Sequence, residues 1–207
     1  MRIIAFSGKK QSGKTTAAND LGLRMNGCPR IDFADCLKEL VFSYFAAPTE
    51  AYKDTAYETF TSEESKTRIH PCGKTYREIL QTVGTDMFRG LWPDIWIENY
   101  KFRLSLEEDY DTIITSDVRF PNEVKCIQSL GGHVIRLLRN PHNDQHESET
   151  AIDYMETPVN KRDVDMLYED GHEYYSTTFD YILDNRKMTI PEQSEAIWKL
   201  VQEKELI

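Results

Sequence analysis

The sequence predicts an α/β fold, a parallel sheet flanked by helices, and three observations point there. Short apolar and β-branched runs alternate along the chain with segments of helical period, the pattern of strands joined by crossover helices. The first run, Arg2 to Phe6, is short and apolar, as suits a strand buried on both faces. A glycine-bearing loop, Gly8 to Thr15, joins that run to the first helical segment.

The elements follow in order. Thr15 to Met25 has a helical pattern, with Ala17, Ala18, Leu21 and Met25 on one face. Ile31 to Phe33 is a candidate second strand, and Leu37 to Phe45 a helix carrying Leu37, Leu40, Val41, Tyr44 and Phe45. Residues 47–73 are polar and show no period. Arg77 to Val83 reads as a helix, and Pro93 opens another that bears Ile97, Tyr100 and Leu104. Thr112 to Thr115 is the clearest internal strand because it is β-branched throughout. Pro121 to Leu130 is helical and stops at Gly131-Gly132; His133 to Leu138 is the next strand. Residues 139–178 are polar and too long for a simple connection, which makes them a candidate lid. Phe179 to Leu183 is the last strand, and Pro191 opens a closing helix with Ala196, Ile197, Leu200 and Val201 inward.

A chain of 207 residues fits a single domain over 1–207. Its net charge of −10 opposes binding to a nucleic-acid backbone. Focused cations and backbone N–H groups can still bind a small anion. Cys28, Cys36, Cys72 and Cys126 include no C-x-x-C pair, so reduced thiols in a cytoplasmic compartment are expected rather than a disulfide framework. The N-terminus passes straight into a strand without a secretion signal, and no run is long enough to span a bilayer.

Gly8, Gly13, Lys14 and Thr15 match G-x-x-x-x-G-K-[ST] in full, after a strand and before a helix. Glycines let the backbone curl around a phosphate, and successive N–H groups at a helix N-terminus then point at the anion. Gly8, Lys9, Gln11, Ser12, Gly13, Lys14, Thr15 and Thr16 are thus the candidate ATP-binding residues, with Lys14 on the terminal phosphates. Thr15 is a candidate Mg²⁺ ligand. A motif of this kind does not by itself separate a kinase from a GTPase, a motor or a binding module. The N-K-x-D stretch of GTPases is absent, and the chain is short for a motor.

Three further stretches bear on a second, anionic substrate. Asp117-Val118-Arg119 follows the Thr112 strand, and ligands of open parallel sheets bind beyond strand carboxyl ends. There Asp117 can act on Mg²⁺ and Arg119 can clamp a phosphate; a salt-bridged turn is the plain alternative. Arg77 and Arg89 flank Gly84 and can line a monophosphate pocket, with Gln81 reading a base edge. Taken alone, that stretch reads better as an amphipathic helix with solvated arginines. Asp35, near Lys38, can orient or deprotonate an attacking group, or simply cap a helix.

Together the GKKQSGKT loop, FADCLK, LQTVGTDMFR with Asp94-Ile95-Trp96, SDVRFPNE, His146-Glu147-Ser148-Glu149 and FDYILDN resemble the phage-type deoxynucleoside monophosphate kinases. These stretches fall in order along nearly the whole chain. The resemblance implies a P-loop fold with a five-stranded parallel core, substrate-binding helices and a lid. It also implies transfer of the ATP γ-phosphate to a deoxynucleoside monophosphate, supplying DNA precursors in the cytoplasm of a host cell. His146, Ser148 and Glu149 become part of the substrate framework on that reading. Lys14 then serves the donor phosphates, while Arg119, Arg77 and Arg89 are shared between acceptor and transition-state charge. Arg139, at the mouth of the lid, can close over the transferring group; Arg162 is a weaker lid candidate, and Arg136 reads as structural.

Other readings stay open at this point. His142 and His146 stand four apart, a spacing that suits zinc on a helix, although a metal-free polar lid explains them as well. Trp92 and Trp96 can stack on a base or fill a core. A dephospho-coenzyme A kinase would share the loop but lean on Asp35 as base. A non-catalytic nucleotide-binding regulator would need no arginine cluster. Assembly as a homodimer is compatible with the sequence.

Overall fold

The computed structural model describes residues 1–49, 57–107, 109–142, 146–153 and 179–207. The Arg162 candidate and most of the expected lid, residues 143–145 and 154–178, lie outside the described residues. The domain expected over 1–207 is organised as two compact units. One comprises Met1–Asp32 with Tyr100–Ile207, and the other is the continuous stretch Phe33–Asn99.

In the first unit, strands β1 (Arg2–Gly8), β2 (Thr112–Val118), β3 (His133–Leu137) and β4 (Tyr181–Leu183) form a wholly parallel sheet in the order β2-β1-β3-β4. The fifth strand expected at Ile31–Phe33 shrinks to one parallel bridge, Arg30 to Ile114, on the open side of β2. The register pairs Ser7 with Val118 and Gly8 with Leu137. Parallel pairing therefore brings the carboxyl ends of β1, β2 and β3 to one edge, where ligands of such sheets bind.

Helices α1 (Lys14–Arg24), α7 (Pro121–Ser129) and α9 (Ile190–Glu203) belong to this unit, with α8 (Glu147–Thr150) a single turn. Ala17, Ala18 and Leu21 of α1 and Ile197 and Val201 of α9 pack on Ile4, Phe6, Ile114, Ile135 and Leu137. Ile113, Val124, Ile127 and Val134 are fully buried as well. Gly132 permits the close return into β3, because a Cβ there would stand 2.7 Å from the Ile3 side chain and 2.9 Å from its carbonyl oxygen.

The second unit contains α2 (Asp35–Val41), α3 (Tyr57–Phe60), α4 (Glu63–Thr67), α5 (Tyr76–Gln81) and the first half of α6 (Ile95–Leu104). Two π-helical stretches extend α2 over Phe42–Ala46 and α5 over Thr82–Arg89. Leu37, Val41, Phe60, Tyr76, Ile79, Val83 and Trp96 form its core. Trp96 is 5% exposed and donates its indole N–H to the Gly84 carbonyl at 3.0 Å, so it fills a core; Trp92 is half exposed.

Candidate phosphate-binding site

The loop between β1 and α1 owes its shape to its glycines. A Cβ on Gly8 would lie 2.4 Å from Ser12 Oγ and 3.0 Å from the Leu137 carbonyl. Gly13 caps α1 at φ +100°, a conformation that side-chain-bearing residues rarely adopt. The Ser12 N–H donates to the Lys9 carbonyl at 3.1 Å and closes the turn. Lys14 folds into this curl, donating to the Gly8 and Lys9 carbonyls at 2.6 and 2.7 Å. Its ammonium is buried, which pushes its pKa well below the usual lysine value. Arg119 and Arg136 push it the same way, and Asp117 and Asp32 oppose them. Thr15 and Thr16 are exposed on the first turn of α1.

Arg119 sits one residue past β2. Its N–H donates to the Glu123 carboxylate at 2.7 Å, and the Phe120 N–H reaches the same oxygen at 3.1 Å. Glu123 is 2% exposed, so the turn that carries Arg119 is fixed from inside α7. The Arg119 guanidinium binds the Ser148 carbonyl at 3.2 Å and the Glu149 carboxylate. The other Glu149 oxygen accepts the Lys10 N–H at 2.7 Å, and Lys9 donates to the Glu149 carbonyl and to Asp153. His146 caps α8 by accepting the Ser148 N–H and pairing with its hydroxyl. The His146, Ser148 and Glu149 set is thereby brought against the loop, with Glu149 joining it to Arg119. His142 pairs with Gln11 at 2.6 Å. Among the described residues no group of three His, Cys, Asp or Glu is placed to hold a metal.

Asp32, which the sequence did not set apart from the nearby Asp35 candidate, also lies near Lys14. Asp32 is buried, accepts the Ser116 N–H at 2.6 Å and the Ser116 hydroxyl at 2.9 Å, and its charge reaches Lys14. Its signal was position: it directly ends the apolar Ile31 step. Asp117 is half-buried at the end of β2 and also acts on Lys14. Arg136 lies buried on β3, between Ser7 Oγ at 3.3 Å and the ring of Phe179. Arg139, expected at the mouth of a lid, is held by main chain: its guanidinium donates to the carbonyls of Asn185 and Met188. Asn185 and Gln193, which sequence reasoning did not single out, bond the outer face of the loop.

The remaining candidates belong to the second unit. Arg77 pairs with Glu63 at 2.5 Å, while its Nε is buried without an acceptor among the described residues. Burial raises the Glu63 carboxyl, but Lys66 and Arg77 more than offset it and hold it below its ordinary value. Arg89 donates to the Pro93 carbonyl at 3.2 Å, and Gln81 ends α5. Asp35 and Lys38 form an ion pair at 3.0 Å.

No family model matches the chain. A curated protein of Acanthamoeba polyphaga mimivirus, named "Putative deoxynucleotide monophosphate kinase", is 32% identical over 185 residues, covering 81% of this chain and 93% of its own length. Among solved structures, shikimate kinase from Aquifex aeolicus aligns with a TM-score of 0.42 at 15% identity, over 100% of this chain and 99% of its own. Shikimate kinase from Bacteroides thetaiotaomicron gives 0.47 at 13% identity, over 98% of each chain.

Proposed function

Because the chain belongs to the deoxynucleotide monophosphate kinase family, we propose that it transfers the ATP γ-phosphate to a deoxynucleoside 5′-monophosphate. An oxygen of the acceptor phosphate attacks the γ-phosphorus, the bond to the β,γ-bridging oxygen breaks, and the diphosphate and ADP leave. The supporting observation is the buried Lys14 ammonium, held inside a glycine loop with the Arg119 charge acting on it. Two cations so arranged repel each other until a polyanion binds.

Such a reaction needs the two phosphates held in line and charge neutralised on the oxygens, with no strong base. Lys14 and the loop N–H groups serve the donor. Arg119, fixed through Glu123 and Glu149, serves the acceptor phosphate and the transferring group. Arg77 carries a buried N–H that the described residues leave unsatisfied, and with Arg89 and Gln81 it is assigned to the acceptor. Mg²⁺, held through Thr15 and Asp117, would neutralise charge on the donor oxygens; the exposed hydroxyl and the half-buried carboxylate are both hard oxygen donors that suit it. Arg139 is given a supporting role, since main-chain carbonyls take up its guanidinium. The product fits the supply of DNA precursors in the cytoplasm, a host's if the gene is viral.

The test is an ADP-release assay with Mg-ATP and a panel of deoxynucleoside monophosphates, with dephospho-coenzyme A alongside. At least one monophosphate should be phosphorylated. Turnover of dephospho-coenzyme A alone would sink the proposal, and no turnover of any acceptor would leave a binding protein.

A further inference from the structure

The outer face of the glycine loop is bonded by two buried side-chain amides. Asn185 is fully buried in the turn after β4, and Gln193 is 1% exposed on the first turn of α9. Asn185 donates from Nδ2 to the Ser12 carbonyl at 2.8 Å and to Gln193 Oε1 at 2.6 Å. Its Oδ1 accepts the Arg139 N–H at 2.7 Å. Gln193 in turn donates to the Gly13 carbonyl at 3.2 Å. Both amides have only one workable orientation. Ser12 O can only accept and Arg139 N–H can only donate, which fixes Asn185; the Asn185 donor then fixes Gln193.

In a trans peptide the C=O and the following N–H point opposite ways. Holding the Ser12 carbonyl outward therefore turns the Gly13 N–H toward the inside of the loop. Holding the Gly13 carbonyl does the same for the Lys14 N–H. The first N–H groups of a helix have no partner within it, so their direction decides what anion they can receive. Gly13 takes part by what it lacks, since a Cβ there would stand 2.8 Å from the Gln193 amide.

We propose that Asn185 and Gln193 are positioning residues that orient the loop's N–H groups toward the donor phosphates and so set affinity for ATP. Arg139 completes the device from the far side by fixing Asn185. The proposal rests on the loop being the ATP site.

The test measures ATP binding by titration calorimetry and steady-state kinetics for Asn185→Asp and Gln193→Leu. Asn185→Asp keeps the shape but sets an acceptor against Ser12 O and Gln193 Oε1. Loss of two buried donors should weaken ATP binding at least about tenfold and raise the ATP KM in step. Gln193→Leu removes the bond to the Gly13 carbonyl and the one from Asn185, only the first of them on the loop, and should act in the same direction by roughly threefold or more; it also serves if Asn185→Asp fails to fold. The KM for the monophosphate should stay unchanged in both, whereas a merely structural defect would lower Tm and active fraction without moving the ATP KM. Folded variants with wild-type ATP affinity overturn the positioning role alone. A wild-type chain that binds no ATP overturns the nucleotide site itself, and this proposal with it.

Discussion

At the scale of single residues, Lys14 holds its charge against its surroundings. Burial disfavours its charge first, and Arg119 and Arg136 add repulsion. The sign of the consequence is definite. Between the lowered folded value and the ordinary lysine value, the unfolded chain holds a proton that the folded chain has lost. Stability therefore rises with pH across that window. A bound phosphate reverses the balance by supplying opposite charge, so the complex takes up a proton. ATP affinity should then fall as pH climbs through the window between the lowered value and the ordinary lysine range, and calorimetry in two buffers of different ionisation heat should detect the uptake. Lys14→Ala should flatten that dependence and cut turnover by roughly 10²-fold or more, as for loss of comparable preorganised charge. A folded Lys14→Ala protein with near wild-type turnover would remove this loop from the chemistry. Lys14, Gly8 and Gly13 could be read from the sequence because the motif ties each residue type to one task. Asp32 could not be separated from Asp35, since what distinguishes them is the Ser116 amide and hydroxyl, 84 positions away.

Individual elements were legible where local chemistry alone decides them. The β-branched Thr112 run and the apolar first run became β2 and β1. The helix read over Arg77–Val83 instead runs on as a π stretch to Arg89, through Gly84. A glycine usually argues for a stop, but here it leaves room for Leu37, whose Cδ2 would stand 2.4 Å from a Cβ. That reason is tertiary and leaves no local mark. The short helices at Tyr57–Phe60 and Glu63–Thr67 escaped because four or five residues cannot display a period, although Ser62 caps the second by accepting the Ser65 N–H. The start of α9 carries a readable device. Thr189 accepts the Glu192 N–H, and the Glu192 carboxylate accepts both the N–H and the hydroxyl of Thr189. Those bonds hold the Glu192 carboxyl below its ordinary value, the Thr189 backbone N–H contributing most. The contribution is therefore present above the ordinary carboxylate range and lost as pH falls through the lowered value. Thr189→Ala should lower Tm by roughly 2–4 °C at neutral pH. The gap to wild type should close in acid; a pH-independent gap would mean that the cap works without Glu192.

On the scale of the whole molecule, the candidate residues fall in two units of the chain. The loop, Arg119, Asn185 and Gln193 belong to the unit built from residues 1–32 and 100–207, and Arg77, Gln81 and Arg89 to the continuous stretch 33–99. Nothing in composition or periodicity announced that division, because residues on both sides of each boundary are ordinary helical or strand sequence. What the sequence did disclose was the order of the motifs, donor loop first and arginine stretch in the middle. The acceptor assignment of the second unit can be tested without chemistry, by amide hydrogen exchange followed peptide by peptide. ATP alone should slow exchange in 8–17, where N–H groups would meet phosphate, and in 185–193, whose Asn185 and Gln193 side chains bond the loop carbonyls. A deoxynucleoside monophosphate alone should slow exchange in 76–89 and leave 185–193 at its unliganded rate. Because Arg77 already pairs with Glu63, the monophosphate has to compete with a carboxylate. Glu63→Gln should therefore strengthen the monophosphate's protection of 76–89 and leave ATP's footprint as it was. If the monophosphate leaves 76–89 untouched in both proteins, Arg77 and Arg89 hold the fold of their own unit, and acceptor binding rests on Arg119.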